Sequence, residues 1–443
     1  MSFLHQGRYT LGAIATVAIL TGCGGSQSQV GAPGAAQPLD YQTQRAESIA
    51  AKGTIKVLYS FKGSPDGAAP KTPLIAHTAT DSMTTFEGGD SNNDGTVVGL
   101  TQKNGKWTES VLYTFRGGAY GDGSGPTGIS TFPAGSDYIV TTEDGGTSNN
   151  GTVVALAPNS SGPWTETFVY SFGGPPDGAT PVGNSIVDKQ GNVYGTTEAG
   201  GTNGTGAVYR MQPKASSYSE SILYSFQGGT DGENPYDGLI MDKKGALYGT
   251  TYVGGTTGSG TVFRLMPKGT GYTESILYSF QGAPSDGSRP TAGVCGAPKG
   301  LLYGTTEEGG TKDVGTVYKL TPSGNTYKET VLWNFGSVSG DGAYPYGGVL
   351  VDKKGVIYGT TLEGGAGGSS GPGTFYTLTP SSGTYKEVVY SFTGANGANP
   401  YAGPSVDSKG NLYLTTDAGG ANNKGAVSAY PHHPTAFTPC SQT

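Results

Sequence analysis

ESILYSFQGGTDGENPYDGLIMDKKGALYGTTYVGGTTGSGTVFRL, residues 220–265, decides the reading of this chain, because almost everything after residue 53 is a copy of it. Its aromatic end recurs as LYSF at 58–61, LYTF at 112–115, VYSF at 169–172, LYSF at 223–226 and 277–280, LWNF at 332–335 and VYSF at 389–392. Successive starts lie 54, 57, 54, 54, 55 and 57 residues apart. The motif TTxxGG also occurs seven times, each followed by a run of the type GTVFRL. A fixed period of this length settles the fold class before local propensity is weighed.

Each unit splits into four short runs. Gly238–Asp242 is apolar and leads into DKKG, a hairpin turn signal. Ala246–Thr251 and Gly260–Leu265 follow, separated by a Gly-rich loop, and Glu274–Phe280 alternates with a period of two. No run keeps helical spacing beyond one turn. The expectation is an all-β, seven-bladed β-propeller with four antiparallel strands per blade, called A to D in that order. A β-solenoid is the alternative, and the tight DxxG hairpin argues against it. The phase of the repeat predicts the closure. The chain enters with a lone strand, 54–61, and leaves after GAVSAY at 425–430, so these two should pair and complete the last blade.

Residues 1–22 read as a lipoprotein signal peptide, with Arg8, an apolar run from Leu11 to Leu20 and then Leu20-Thr21-Gly22-Cys23. The last four residues resemble a bacterial lipobox, which implies lipidation of Cys23. An ordinary secretory signal is the plainer reading. Residues 23–53 are expected to be a lipidated flexible linker, 54–430 the propeller, and 431–443 a frayed tail. The implied address is export and anchoring to the cell envelope through the N-terminal lipid, at the outer membrane in a cell with two membranes.

Composition fits an exported β protein. Glycine contributes 79 of 443 residues, yet at fixed places in the repeat, as turn positions require. The net charge of −7 leaves no basic footprint, so nucleic acid is not an expected partner. Cys295 falls in a predicted inner strand and is expected as a small buried apolar residue. A disulfide to Cys440 is the less favoured reading, since two cysteines prove no geometry.

The unit LYSFxGxxDGxxPYxGLIxDxxGxLYGTTxxGGxxxxGTVFxLxP resembles the GloVer tandem repeat of bacterial surface proteins with varied anchors, and 222–267 matches it almost throughout. The first copy departs, since LIAHTATDSMTTFEGG lacks the DxxG turn. The resemblance implies a surface-displayed repeat protein and brings no established activity.

The strand order puts the D–A and B–C loops on one face. That face carries Asp66, Asp122, Asp177, Asp231, Asp286 and Asp341, with Asn396 in the seventh copy, and an acidic disc face is expected. Each aspartate of DG is read as capping its own turn. At the mouth of the channel, Tyr236, Tyr346 and Tyr401 are expected near Asn234, Asn399, Asp237 and Arg289. Aromatic faces beside amides and carboxylates suit a sugar or peptide; packing between blades is the competing reading. Asp90, Asn92 and Asp94 match the opening of a calcium loop, which makes calcium a candidate cofactor, but Thr101 stands where the bidentate Glu belongs. A plain hairpin loop is favoured. The four histidines are His5, His77, His432 and His433, which gives no histidine-based catalytic set within the blades.

The leading expectation is a non-enzymatic binding or scaffold propeller at the envelope, monomeric, with a glycan or peptide ligand. A carbohydrate-active enzyme using carboxylates of the acidic face is the alternative, and a purely structural envelope protein the third.

Overall fold

The computed structural model describes residues 54–76, 80–132, 137–159, 162–214, 217–269, 271–431, 437–438 and 440. Cys23, the leader and His77 lie outside them. The described residues form seven small antiparallel sheets arranged as a seven-bladed propeller, with helical turns of only three residues. Blade 4 shows the pattern: Ile240–Met241, Leu247–Thr251, Thr261–Lys268 and Gly271–Ser279 lie side by side in that order.

Two boundaries differ from the sequence expectation. Strand C runs on through Met266, Pro267 and Lys268, which pair with Thr273, Tyr272 and Gly271. Strand B reaches only to Leu265 on its other side. Pro267 therefore sits where strand C has a free edge, and its missing N–H breaks no ladder. The period of two in strand D is also interrupted. Val262 faces Tyr278 while Phe263 faces Ile276, so Leu277 is an extra, bulged residue.

The ring closes as its repeat phase requires. Lys56–Ser60 pairs with Ala426–Tyr430, from Lys56 opposite Ala429 to Ser60 opposite Ala426, and supplies the outer strand of blade 7. Blade 1 is the irregular one. Its strand A is reduced to one bridge, Ile75 to Ser82, where the DxxG turn is missing.

The aromatic strand end explains what holds the blades together. Phe61, Phe115, Phe172, Phe226, Phe280, Phe335 and Phe392 are all essentially inaccessible to water. Phe172, Phe226, Phe280 and Phe335 pack edge-on, 5.0–5.2 Å between centroids, against Tyr209, Phe263, Tyr318 and Tyr376 of the next blade. Such a pair contributes about 0.5–1.5 kcal/mol beyond its buried area. The first threonine of TTxxGG adds a polar stitch. Thr141, Thr196, Thr250, Thr305, Thr360 and Thr415 donate hydroxyls at 2.7–3.0 Å to carbonyls of the following blade, in or just before its inner strand.

The glycine that opens strand C is a third joint. At Gly315 an added Cβ would lie 2.4 Å from Pro345 Cδ of the next blade, and φ is +102°. The same Gly–Pro approach recurs at all seven junctions, including Gly425 with Pro70 across the closure.

The tail corrects two expectations. Phe437–Thr438 pairs with Val351 and Asp352 as a fifth strand along the inner edge of blade 6. Cys295 is buried, as expected of a small apolar residue, but it is bonded to Cys440 with their Cα atoms 4.4 Å apart. Gly296 N–H also donates to the Cys440 carbonyl at 3.2 Å. The tail thus lies against strand A of both blades 5 and 6. Sequence reasoning missed this because the segment has no counterpart in the repeat.

Candidate functional site

Two columns of the repeat follow fixed residues and run through the region of the expected channel mouth, with Val182 and Thr291 among them buried. After the proline stand Lys71, Thr127, Val182, Tyr236, Thr291, Tyr346 and Tyr401. After Thr-Thr stand Phe86, Glu143, Glu198, Tyr252, Glu307, Leu362 and Asp417. The residue before the proline is left-handed in every copy, at Ala69, Gly125, Thr180, Asn234, Arg289, Tyr344 and Asn399. Its N–H is tied to the preceding blade, as in Asn234 to the Thr205 carbonyl and Asn399 to that of Pro372. The scaffold beneath the mouth is therefore seven-fold, and the side chains that vary are set on top of it.

The three tyrosines expected at the mouth do meet. Tyr346 packs 6.0 Å from Tyr236 and 4.2 Å from Tyr401, ring centre to ring centre. Burial pushes the Tyr346 phenol well above its ordinary pKa, with the two neighbouring phenols adding to the shift. Tyr252 extends the aromatic surface at 5.4 Å from Tyr236. Arg289 lies over the Tyr252 ring at 5.5 Å and pairs with Glu308 at 2.8 Å, while the Tyr252 hydroxyl donates to Glu307 at 3.1 Å.

Lys71, absent from the sequence expectation, stands beside Tyr401. Its ammonium is 3.4 Å from the Phe86 ring centre and 5.1 Å from that of Tyr401. Burial pulls its pKa down, and Asp417, Glu143 and Glu87 pull it back up. Burial raises the Asp417 carboxyl against the pull of Lys71, and its buried Oδ1 meets no hydrogen-bond donor. Burial also raises Glu198, to about 7, with Glu143 beside it adding to the effect.

Other expected residues are spent on the scaffold. The Asn234 and Asn399 amides donate to the carbonyls of Glu198 and Leu362, at 3.0 and 3.1 Å. Asp237 accepts from the N–H groups of Gly238 and Gly293 at 2.7 and 2.8 Å and ties strand A of blade 4 to that of blade 5. The DG aspartates do not form an open acidic face. Asp66, Asp122, Asp286 and Asp341 are buried, and each accepts from its following glycine N–H at 2.7–2.8 Å, as the turn-cap reading requires. In the Asp90 loop, Asp90 accepts from Asn92 N–H and Asp94 accepts from the Ser124 hydroxyl at 2.6 Å. Among the described residues no group of three or more His, Cys, Asp and Glu is gathered for a metal.

One signal in the sequence would have found the whole mouth. Aligning the seven copies shows the residue after the fixed Pro and the residue after the fixed Thr-Thr changing from blade to blade, which includes Lys71 and Phe86 as well as the tyrosines.

The repeat model described as Gloeobacter/Verrucomicrobia repeat matches residues 48–240 and 183–428. No curated protein matches the sequence. Similar solved structures include two proteins assigned as 6-phosphogluconolactonases. The one from Bacteroides uniformis is 14% identical, with TM-score 0.54, covering 82% of this chain and 95% of that one. The one from Bacteroides fragilis is 13% identical, with TM-score 0.50, covering 77% and 88%. PorZ, a surface component of the type-IX secretion system of Porphyromonas gingivalis, is 15% identical with TM-score 0.50. The match covers 84% of this chain and 47% of PorZ. At these identities the likeness is one of fold.

Proposed function

The chain belongs to the Gloeobacter/Verrucomicrobia repeat family, and from that premise we propose that it is an exported, lipid-anchored binding propeller whose channel mouth takes a glycan or peptide. The observation that carries the reading is the gathering of aromatic side chains and Lys71 from two columns that change from blade to blade. Packing alone would favour the same residue in every blade, whereas the mouth gathers Lys71, Phe86, Tyr236, Tyr252, Tyr346 and Tyr401 on one rim. Aromatic faces with hydroxyl, ammonium and carboxylate groups between them suit a ligand with an apolar ring face and a polar edge. Lipidation of Cys23 would tether the disc through residues 24–53. The Cys295–Cys440 bridge supports an extracytoplasmic address, because disulfides persist in oxidising compartments.

The test is a glycan, peptidoglycan-fragment and peptide array with the full chain, beside the variant Tyr236→Phe/Tyr346→Phe/Tyr401→Phe. The variant keeps three rings and removes three hydroxyls. Binding weakened about tenfold or more in a folded variant fits the loss of hydrogen bonds to ligand. Equal binding by both proteins would take the three hydroxyls out of the site.

A second reading rests on Glu198. A carboxyl held protonated near neutrality beside a second carboxylate, Glu143, is the arrangement of a general acid with its partner. Mass spectrometry of the captured glycan decides between them. Cleavage that disappears in Glu198→Gln supports catalysis, and an intact glycan supports binding.

A further inference from the structure

A recurring cluster lies between the outer strands of neighbouring blades, away from the mouth. In each, the aspartate of DG is surrounded by donors. Asp231 accepts from the Tyr224 hydroxyl and Gln227 N–H, each at 2.7 Å. Asp66, Asp177 and Asp286 are held the same way by Tyr59, Tyr170 and Tyr278. Their neighbouring backbone N–H groups add a second donor to the same oxygen, and the following glycine serves the other oxygen. These carboxylates serve as acceptors on both oxygens.

Strand D of the next blade brings a glutamate against each one. Glu109 faces Asp66, Glu220 faces Asp177, Glu274 faces Asp231, Glu329 faces Asp286 and Glu387 faces Asp341. In all five glutamates Oε1 is buried without a donor. A second anion there would leave that buried oxygen without a hydrogen bond, and it would face a carboxylate already held by donors. The other titratable groups around them do not supply a counter-charge: Tyr59, Tyr170, Tyr224 and Tyr278 already donate to the aspartates, and Tyr209, Tyr318 and Tyr376 are neutral phenols. Lys62 is a cation beside Glu109.

The chain contains its own control. Where the seventh copy has Asn396 in place of the aspartate, the strand D position that is glutamate elsewhere is Ile55. There Ile55 packs into an apolar cluster, and the Tyr390 hydroxyl bonds to that of Tyr430 at 2.6 Å instead. Both acids are absent together. The remaining junction, Asp122 with Glu166, is looser, since Glu166 is exposed and accepts from Tyr113 at 3.0 Å.

We propose that five of the seven blade junctions are closed by a proton held between a hydrogen-bonded aspartate and a half-buried glutamate, so that the ring is tightest in mildly acidic medium and loosens as the medium becomes alkaline. Burial first, and the facing aspartate second, push Glu220 and Glu274 up to about 7 and Glu329 to about 8. The sign follows. A carboxyl whose pKa is raised on folding binds its proton more tightly in the native state. Its contribution is fully present below the unfolded value, near 4.5, and is lost as pH rises through 7 to 8.

The experiment is a thermal melt of the full chain between pH 5 and pH 8, beside Glu109→Gln/Glu220→Gln/Glu274→Gln/Glu329→Gln/Glu387→Gln. The native chain should lose at least about 5 °C across this range, and the variant, whose amides donate without titrating, should be nearly flat. A native melt independent of pH, or a variant with the same slope, overturns the proposal. So does added calcium abolishing the slope, which would put a cation where the proton is assigned. Should the five-fold variant fail to fold, side-chain carbonyl NMR of the native chain decides. Five glutamates titrating well above the ordinary range support it, and none doing so refutes it.

Discussion

The aspartate of DG shows how far one residue can be read. Asp-Gly is a local signal, and the cap to the following N–H, as in Asp286 to Gly287 at 2.7 Å, was legible from two adjacent letters. The tyrosine eight residues earlier and the glutamate 43 residues later were not, because nothing local links them. The first threonine of TTxxGG is a similar case. It reads as a β-branched strand residue, yet Thr305 Oγ1 donates to the Gly347 carbonyl across the junction at 3.0 Å. Thr305→Val keeps the shape and leaves that carbonyl without a partner, so it should cost about 1–3 kcal/mol in urea unfolding. Gly315→Ala should cost more, about 3 kcal/mol or above. Its φ of +102° and the 2.4 Å approach to Pro345 Cδ allow no side chain without moving the next blade. A Gly315→Ala protein as stable as the native chain would show that the junction yields.

Among the elements, the lone strand at 56–60 was the most legible, because the repeat begins and ends out of phase. Its pairing with 426–430 joins parts of the chain about 370 residues apart. Deleting residues 1–61 should leave blade 7 without its outer strand and broaden or split a cooperative unfolding transition, whereas deleting 1–53 should leave it intact. Coincident circular dichroism and fluorescence transitions in the shorter protein would sink this assignment. Strand ends were less legible. The segment from Met266 to Thr273 reads as a Pro/Gly connection, but sheet pairing on one side only lets a proline ride inside the strand. Loop residues at the mouth were partly legible: the three tyrosines are conspicuous by type, while Lys71 looks like a surface charge until Phe86 and Tyr401 are placed around it.

At the scale of the molecule, the seven-fold ring was readable because every blade votes for it, and the tail was not because it occurs once. The tail is stapled by Cys440 to blade 5 and paired by Phe437–Thr438 to blade 6. Cys440→Ser should therefore release it. A disulfide of this kind typically contributes about 2–4 kcal/mol, which for a domain of this size lowers the melting temperature by only a few degrees. Unchanged melting under reducing agent would mean the bridge adds no stability to the ring.

The closure has a further consequence in time. A protein made from one end to the other has blades 1 to 6 in hand long before residue 426 exists, and until then strand 56–60 waits without the neighbour it needs. Thr415 cannot donate to the Thr72 carbonyl, and Gly425 cannot meet Pro70, until nearly the whole chain has emerged. Through synthesis and any passage across a membrane the polypeptide is an open arc with two bare edges. Residues 405–430 turn the arc into a disc, so a chain halted just before them has six blades and no ring.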